Sequence, residues 1–387
     1  VATLQLGENG TRADVALGVL GPNVTAMGDK SGGTSYIMPA VGWTRKTDQM
    51  TFGVGLMGQG GMGTEYGSTS PLAMGTGSDV RSELSVGRVI FPLSYRVNSQ
   101  LTIGASIDYT WAGMDMKMAA QTSDMANMYA AAGGDPADIN AMVGNLIANN
   151  MLTGAPNFAR IDFSNSSDFT GAAKGTGFTG KLGATFKAND VLTLGASYQL
   201  KTSLADMKTS SVGASMSFID PTTNNAVAFP GQIVIHDFQM PSVFALGASM
   251  LASPALQLNM DVKRVGWKSA MEKFSMTFSS SMMAGPMNFA MPQNWKDQTV
   301  VSLGGAYKMN DALVLRAGYS HSTNPVPDAT VHPLFPAIVK DHYTAGFGYQ
   351  IDKNMSVNAA VSHAPKVTVA EANWVVLPSP TAKPTTS

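Results

Sequence analysis

Apolar and polar residues alternate along most of this chain. The pattern is cleanest at residues 101–111, where Leu101, Ile103, Ala105, Ile107, Tyr109 and Trp111 alternate with Thr102, Gly104, Ser106, Asp108 and Thr110. Residues 294–350 repeat it three times. Val301, Leu303 and Gly305 oppose Ser302, Gly304 and Ala306; Leu313, Leu315, Ala317 and Tyr319 oppose Val314, Arg316, Gly318 and Ser320; Tyr343, Ala345, Phe347 and Tyr349 oppose Thr344, Gly346, Gly348 and Gln350. A period of two sends successive side chains to opposite faces of a strand. One face is therefore apolar and ends in aromatics, and the other is small or polar. The same reading predicts strands at 12–20, 36–46, 50–57, 83–96, 177–187, 192–200, 233–250, 256–263 and 355–362. Pro39 weakens the second, since proline cannot donate to a ladder. The alternation slips at Arg88–Val89, which predicts a bulge there, and Met240–Pro241 interrupts the eighth strand.

The connections fall into two classes. Short polar turns are predicted at 45–49, 97–100, 188–190, 252–255, 309–312 and 352–354; long segments cover 21–35, 58–82, 113–176, 209–232, 278–294 and 322–340. Short and long strictly alternate. A barrel with short turns at one end and long loops at the other has this rhythm, whereas a sandwich with Greek-key crossovers does not. The reading is an all-β fold: a transmembrane, antiparallel, up-and-down β-barrel forming one domain over residues 1–387. Six short turns with both termini on the short-turn side imply fourteen strands, of which thirteen are readable. The closing strand is expected to be missing, because 368–387 reads as an outer loop or tail and 371–377 is at best a poor strand. Residues 1–11 are a remnant before the first strand. Within 113–176, the longest outer loop, Asp135–Pro136 is a helix start with Asp as N-cap and Pro at the first helical position. Ile139, Met142, Val143, Leu146 and Ile147 then follow helical spacing, and a shorter helix is expected at 123–132.

Composition narrows the function classes. Charged residues are 13% of the chain and the net charge is −1, so the basic face of a nucleic-acid binder is missing. With no cysteine, disulfide scaffolds and thiolate chemistry are excluded. No run approaches the ~18 apolar residues of a membrane helix. There is no nucleophile elbow, no zinc-protease motif and no phosphate loop, and the five histidines lack metal-ligand spacing. Neither an enzyme site nor a cofactor is expected.

The chain resembles the FadL/TodX family of outer-membrane transporters of hydrophobic compounds. The resemblance rests on Trp295-Lys296-Asp297 followed by LGGAYKMND (303–311), LRAGYSHSTNPVPD (315–328) and DHYTAGFGY (341–349), with support from MGTEYG (62–67) and HDFQMPSVFALG (236–247). It extends over nearly the whole chain. It implies the outer membrane of a Gram-negative bacterium, a fourteen-stranded barrel plugged by an N-terminal hatch, capture of ligand on the longest loops, and exit through the wall at a kinked third strand. The implied cargo is a hydrophobic small molecule or lipid: a long-chain fatty acid, an alkane or an aromatic hydrocarbon. Two departures stand out, because residues 1–11 are too short for the hatch and the closing strand is not readable.

Each candidate site has a plainer alternative. Met125, Met128, Tyr129, Ile139, Met142, Val143, Leu146 and Ile147 form either a ligand groove or a stripe that packs on other loops; methionine suits both. Gly58, Gly60, Gly61 and Gly63 mark either the kink and lateral opening of the third strand or a glycine-rich loop. Asp108, Lys181, Lys263 and Arg316, with Asp261, face the lumen and either orient a ligand carboxylate or pair with one another in water. The other functional readings are a structural or adhesive barrel whose loops bind proteins, including neighbouring copies of itself, and an open polar pore.

Overall fold

The computed structural model describes residues 1–6, 9–167 and 170–369; most of the expected tail 368–387 lies outside the described residues. In chain order the strands longer than two residues are β1 (Gly10–Leu20), β2 (Tyr36–Lys46), β3 (Met50–Tyr66), β4 (Val80–Arg96), β5 (Leu101–Gln121), β6 (Phe158–Phe163), β7 (Ala173–Lys187), β8 (Leu192–Gln199), β9 (Ala214–Ile219), β10 (Ala226–His236), β11 (Val243–Ser253), β12 (Leu256–Val265), β13 (Lys273–Ser279), β14 (Met287–Pro292), β15 (Gln298–Lys308), β16 (Leu313–Ser322), β17 (Asp341–Gln350) and β18 (Ser356–His363). Two helices, α1 (Thr122–Ala131) and α2 (Pro136–Ala148), lie between β5 and β6.

Thirteen of these strands make the wall. Each pairs antiparallel with the next wall strand along the chain, β5 with β7, β8 with β11 and β12 with β15 being the pairs that skip over outer segments. Among the described residues the outer edges of β1 and β18 have no ladder partner. The register is built from the short turns upward. Each of the six closes with a side-chain acceptor that takes the backbone N–H groups of the incoming strand. Asn98 Oδ1 accepts from Gln100 and Leu101, Asn189 Oδ1 from Val191 and Leu192, Asn310 Oδ1 from Ala312 and Leu313, and Asp352 Oδ1 from Asn354 and Met355. Thr47 and Ser253 do the same with hydroxyls. Such local bonds pre-form the hairpin and set which face each residue takes.

The other ends of the strands meet in a cap. The end of β5 pairs with β6, β6 with β9, β9 with β10, β10 with β13 and β13 with β14. The inner face of this second sheet buries Met116, Ile161, Met216, Phe218, Ile233, Ile235, Phe278 and Phe289 in one cluster with both helices. Polar clasps close its outer side. Asp115 accepts from Ser164 Oγ (2.8 Å) and the Ala172 N–H (2.6 Å), and Arg160 joins Asp162 (2.8 Å), Thr76 (2.7 Å) and the Asp79 carbonyl (2.6 Å).

Three sequence expectations need correction. The eighth strand is two elements: β10 belongs to the cap, β11 to the wall, and the chain crosses between them at 237–242. No bulge lies at Arg88–Val89, which pair regularly with Thr110 and Tyr109; the register shift is opposite, between Gly58 and Gly60 of β3. The third strand does not stop at Met57 but continues to Tyr66. Stretches 113–176, 209–232 and 278–294 are folded into cap strands and helices because their apolar residues find one another, a contact between distant segments that local periodicity does not report.

Candidate functional site

Among the described residues, β2 and β3 are paired neighbours in the wall that part before their ends. β1 and β2 pair along all eleven residues, from Gly10↔Lys46 to Leu20↔Tyr36. β2 and β3 pair only from Lys46↔Thr51 to Ala40↔Met57. Pro39, the next residue of β2, has no N–H to offer. On β3 the extra residue Gln59 shifts the register against β4, from Gly58↔Gly87 to Gly60↔Val86. A bulge bends its strand, and beyond it β3 follows β4 instead of β2. The parting closes again where the Gly32 N–H bonds the Glu65 carbonyl (2.7 Å) and Ser31 Oγ accepts from the Glu65 N–H (3.0 Å). Residues 36–39 and 58–64 therefore border a window in the wall, with no ladder pairing between them among the described residues.

The four predicted glycines all lie on this border. A Cβ on Gly58 would come into ordinary contact with Met38 and Pro39, Gly61 leaves no room for a Cβ beside the Leu84 carbonyl, and Gly63 lies under the Tyr36 hydroxyl. Gly60 is the residue at which the register resumes. Tyr36 was not singled out from sequence. Its even-numbered parity with Met38, Ala40 and Gly42 is the signal that turns it inward. A cavity of about 220 Å³ opens beside it, between residues 32–36, Thr64–Glu65 and Arg81–Glu83.

The helix stripe is a packed interface. Met125, Met128 and Ile139 are fully buried, Val143 and Leu146 nearly so, while Tyr129, Met142 and Ile147 pack at the rim of the cluster and keep some exposure. Asp135 caps α2 by accepting from the Ala137 N–H (2.9 Å), with Pro136 at the first position. The Tyr129 ring lies 6.0 Å from that of Phe289. Burial raises the pKa of Asp124 in the first turn of α1.

The lumen residues separate into two groups. Asp108 forms a buried ion pair with Arg88 (3.3 Å), and Lys181 lies within electrostatic reach of Arg88, Asp108 and Lys263. Arg88 was missed because the expected bulge obscured its parity. Arg316 stands apart, donating to Asn358 Oδ1 (3.1 Å) in a lumen cavity of about 700 Å³ that also exposes Gln257 and Asp261. At the short-turn end, Ala2–Leu6 form a 3₁₀ turn inside the wall. There Gln5 donates to the Thr47 and Asp48 carbonyls (2.9 and 3.1 Å), and the missing Cβ of Gly104 makes room for Ala2.

On the loop side of the lumen, residues 331–335 reach down onto β3 and β4. The Pro333 and Leu334 carbonyls accept from Thr64 Oγ1 (3.4 and 3.3 Å), Ser82 Oγ also donates to Leu334, and Tyr66 Oη donates to Pro333 (3.5 Å). His332 Nδ1 accepts from the Leu334 N–H (3.2 Å), and burial pushes its pKa down to about 4.

A strand-built wall with lipid-facing side chains under an outer cap is the architecture of an outer-membrane β-barrel. A model of the outer membrane protein transport protein family (OMPP1/FadL/TodX) matches residues 5–380, and the chain belongs to that family. Among solved structures it resembles the toluene transporter TodX of Pseudomonas putida, at 30% identity over 93% of this chain and 85% of that one, with a TM-score of 0.77. The toluene transporter TbuX of Ralstonia pickettii is 25% identical over 95% and 87%, with a TM-score of 0.76. A FadL homologue from Pseudomonas aeruginosa shares the fold at 17% identity over 95% and 84%, with a TM-score of 0.63. A putative outer membrane protein of Neisseria meningitidis is 35% identical over 71 residues, which are 18% of this chain and 15% of that protein.

Proposed function

We propose that this barrel admits hydrophobic small molecules across the outer membrane by passive diffusion, and that they leave sideways into the bilayer through the window beside β3. The observation that carries this reading is the window itself. A wall in lipid keeps every backbone group paired unless a gap serves a purpose, and this gap sits where Pro39, the Gln59 bulge and four glycines coincide. Similarity to two toluene transporters supports a small aromatic hydrocarbon as cargo. Capture would occur on the cap at the half-exposed rim formed by Tyr129, Met142 and Ile147, with the buried part of the stripe holding the cap together. Lys181, Lys263 and Arg316 would keep the lumen polar, so that an apolar guest passes to lipid instead of remaining there.

Magnitudes agree with a passive step. One aromatic ring burying ~150 Å² gains about 4 kcal/mol, which corresponds to roughly millimolar affinity. That suffices for capture and leaves release spontaneous. The test is entry of radiolabelled toluene into Gram-negative cells that lack such channels, with and without this protein. Faster entry is expected with the protein, and Gly63→Trp, which fills the window, should return the rate toward that of control cells. Equal rates with and without the wild-type protein would end the reading. The large lumen cavity near Arg316 favours a second reading, an open polar pore; steady ion conductance in a planar bilayer would support that reading.

A further inference from the structure

The window is not empty. Tyr36 leaves β2 on its inner face and crosses the opening, so that its hydroxyl rests where two side chains are missing. A Cβ built on Gly33 or on Gly63 would lie 2.4 Å from Tyr36 Oη. Gly33 precedes β2 and Gly63 is on the displaced part of β3, so the phenol spans the window from one border to the other. Among the described residues no other aromatic side chain lines the adjoining cavity, whose remaining walls are hydroxyls, glycine backbone, Glu65 and the Arg81–Glu83 ion pair. A polar-lined space holds a hydrocarbon poorly, which makes this a passage and not a storage site. Its volume of about 220 Å³ is nonetheless adequate for a single ring, since a cavity of about 150 Å³ accommodates benzene.

We propose that the Tyr36 side chain is the shutter of the wall opening and sets the size of the molecule that passes. The proposal rests on the lateral-exit reading above. In the resting state the ring closes the window between β2 and β3. A guest passes when the side chain rotates away, and the glycine seats at 33 and 63 let it return. The seats differ from the neighbouring Gly61, where a Cβ would meet the Leu84 backbone carbonyl at 2.4 Å. Backbone cannot move aside cheaply, but the far end of a tyrosine can. Alanine at 33 should therefore dislodge the shutter and leave the wall folded.

The experiment compares entry of labelled toluene with entry of labelled naphthalene, one ring against two, in the cells described above. The full chain is used throughout, with folding checked by heat-modifiable gel mobility. Tyr36→Ala is expected to raise the naphthalene-to-toluene ratio several-fold, and Gly33→Ala to raise it in the same direction without touching the tyrosine. Tyr36→Phe keeps the ring and should retain the wild-type ratio, whereas Tyr36→Trp should lower it. A part that was merely structural would change the amount of folded protein and not the ratio. If wild type speeds entry but the ratio is the same in Tyr36→Ala and Gly33→Ala, the shutter is overturned and lateral exit stands. If wild type does no better than control cells, both are overturned.

Discussion

One strand, β5, passes through two solvents and changes its chemistry between them. In its first half the outer face carries Ile103 and Ile107, 46% and 67% exposed, and the inner face carries Ser106, Asp108 and Thr110, all buried. In its second half the inner face carries Met114, Met116 and Met118, also buried, while the outer face carries Asp115 and Lys117. The period of two never breaks, but the polarity of the faces inverts near Gly113. In the wall, apolar side chains point away from the protein because lipid is their solvent. In the cap water surrounds the sheet, so apolar side chains must find one another inside. A single residue type therefore contributes stability in different ways on the two sides of Gly113. A cap methionine is held by protein atoms that cannot follow it when it is removed. A wall isoleucine is held by lipid, which closes in.

The largest test of this difference is Phe218→Ala in the centre of the cap. Its side chain is fully buried, so the loss includes both transfer and a cavity, about 3–5 kcal/mol. Urea titration of the cap, followed by proteolysis of the outer segments, should show it, while the wall stays folded in lipid. If the wall melts together with the cap, the two are one cooperative unit and the comparison fails. Next comes Ile107→Lys. A lysine on the lipid face near mid-membrane costs about 2–4 kcal/mol, read as a shift in the folding equilibrium into lipid vesicles. The milder Ile107→Ala should cost only the transfer term, roughly 1–2 kcal/mol, because no cavity remains. A cost as large as that of Phe218→Ala would mean that protein, not lipid, covers Ile107.

Sequence made the wall legible and the cap not, for a physical reason. The ladder from Leu101 to Trp111 is local: each side chain's partner solvent follows from its parity alone. Asn98, Asn189 and Asn310 likewise mark their turns within three residues. The cap depends on β9 meeting β6 and β10 meeting β13, contacts across tens of residues for which alternation gives no address. The start of α2 was readable because Asp135 and Pro136 act on their own neighbours; what its stripe packs against was not. The glycines at 58–63 could be seen as a failure of strand geometry. That the failure leaves a window filled by Tyr36 depends on where Gly33 folds back, which no spacing announces.

The smallest expected effect is at the seam between the two regions, in the loop 331–335. His332 is part-shielded under this loop and keeps its ring neutral, with Nδ1 accepting from the Leu334 N–H. Its pKa is held at about 4 by burial, below the ordinary value of 6.5. Below 6.5 the undocked loop binds a proton that the docked loop refuses, so docking is favoured above that pH and weakens as pH falls from 6.5 toward 4. Below about 4 both states are protonated and the loss levels off. The readout is local: hydrogen exchange at Leu334 and at Thr64 and Ser82, whose hydroxyls donate to this loop. Exchange at Leu334 should quicken between pH 6.5 and 4 after correction for intrinsic rates, while Met116 in the cap and Ile107 in the wall remain unchanged. His332→Phe should abolish the pH dependence. If exchange at Met116 changes over the same range, loop and cap open together, and the seam is part of the cap.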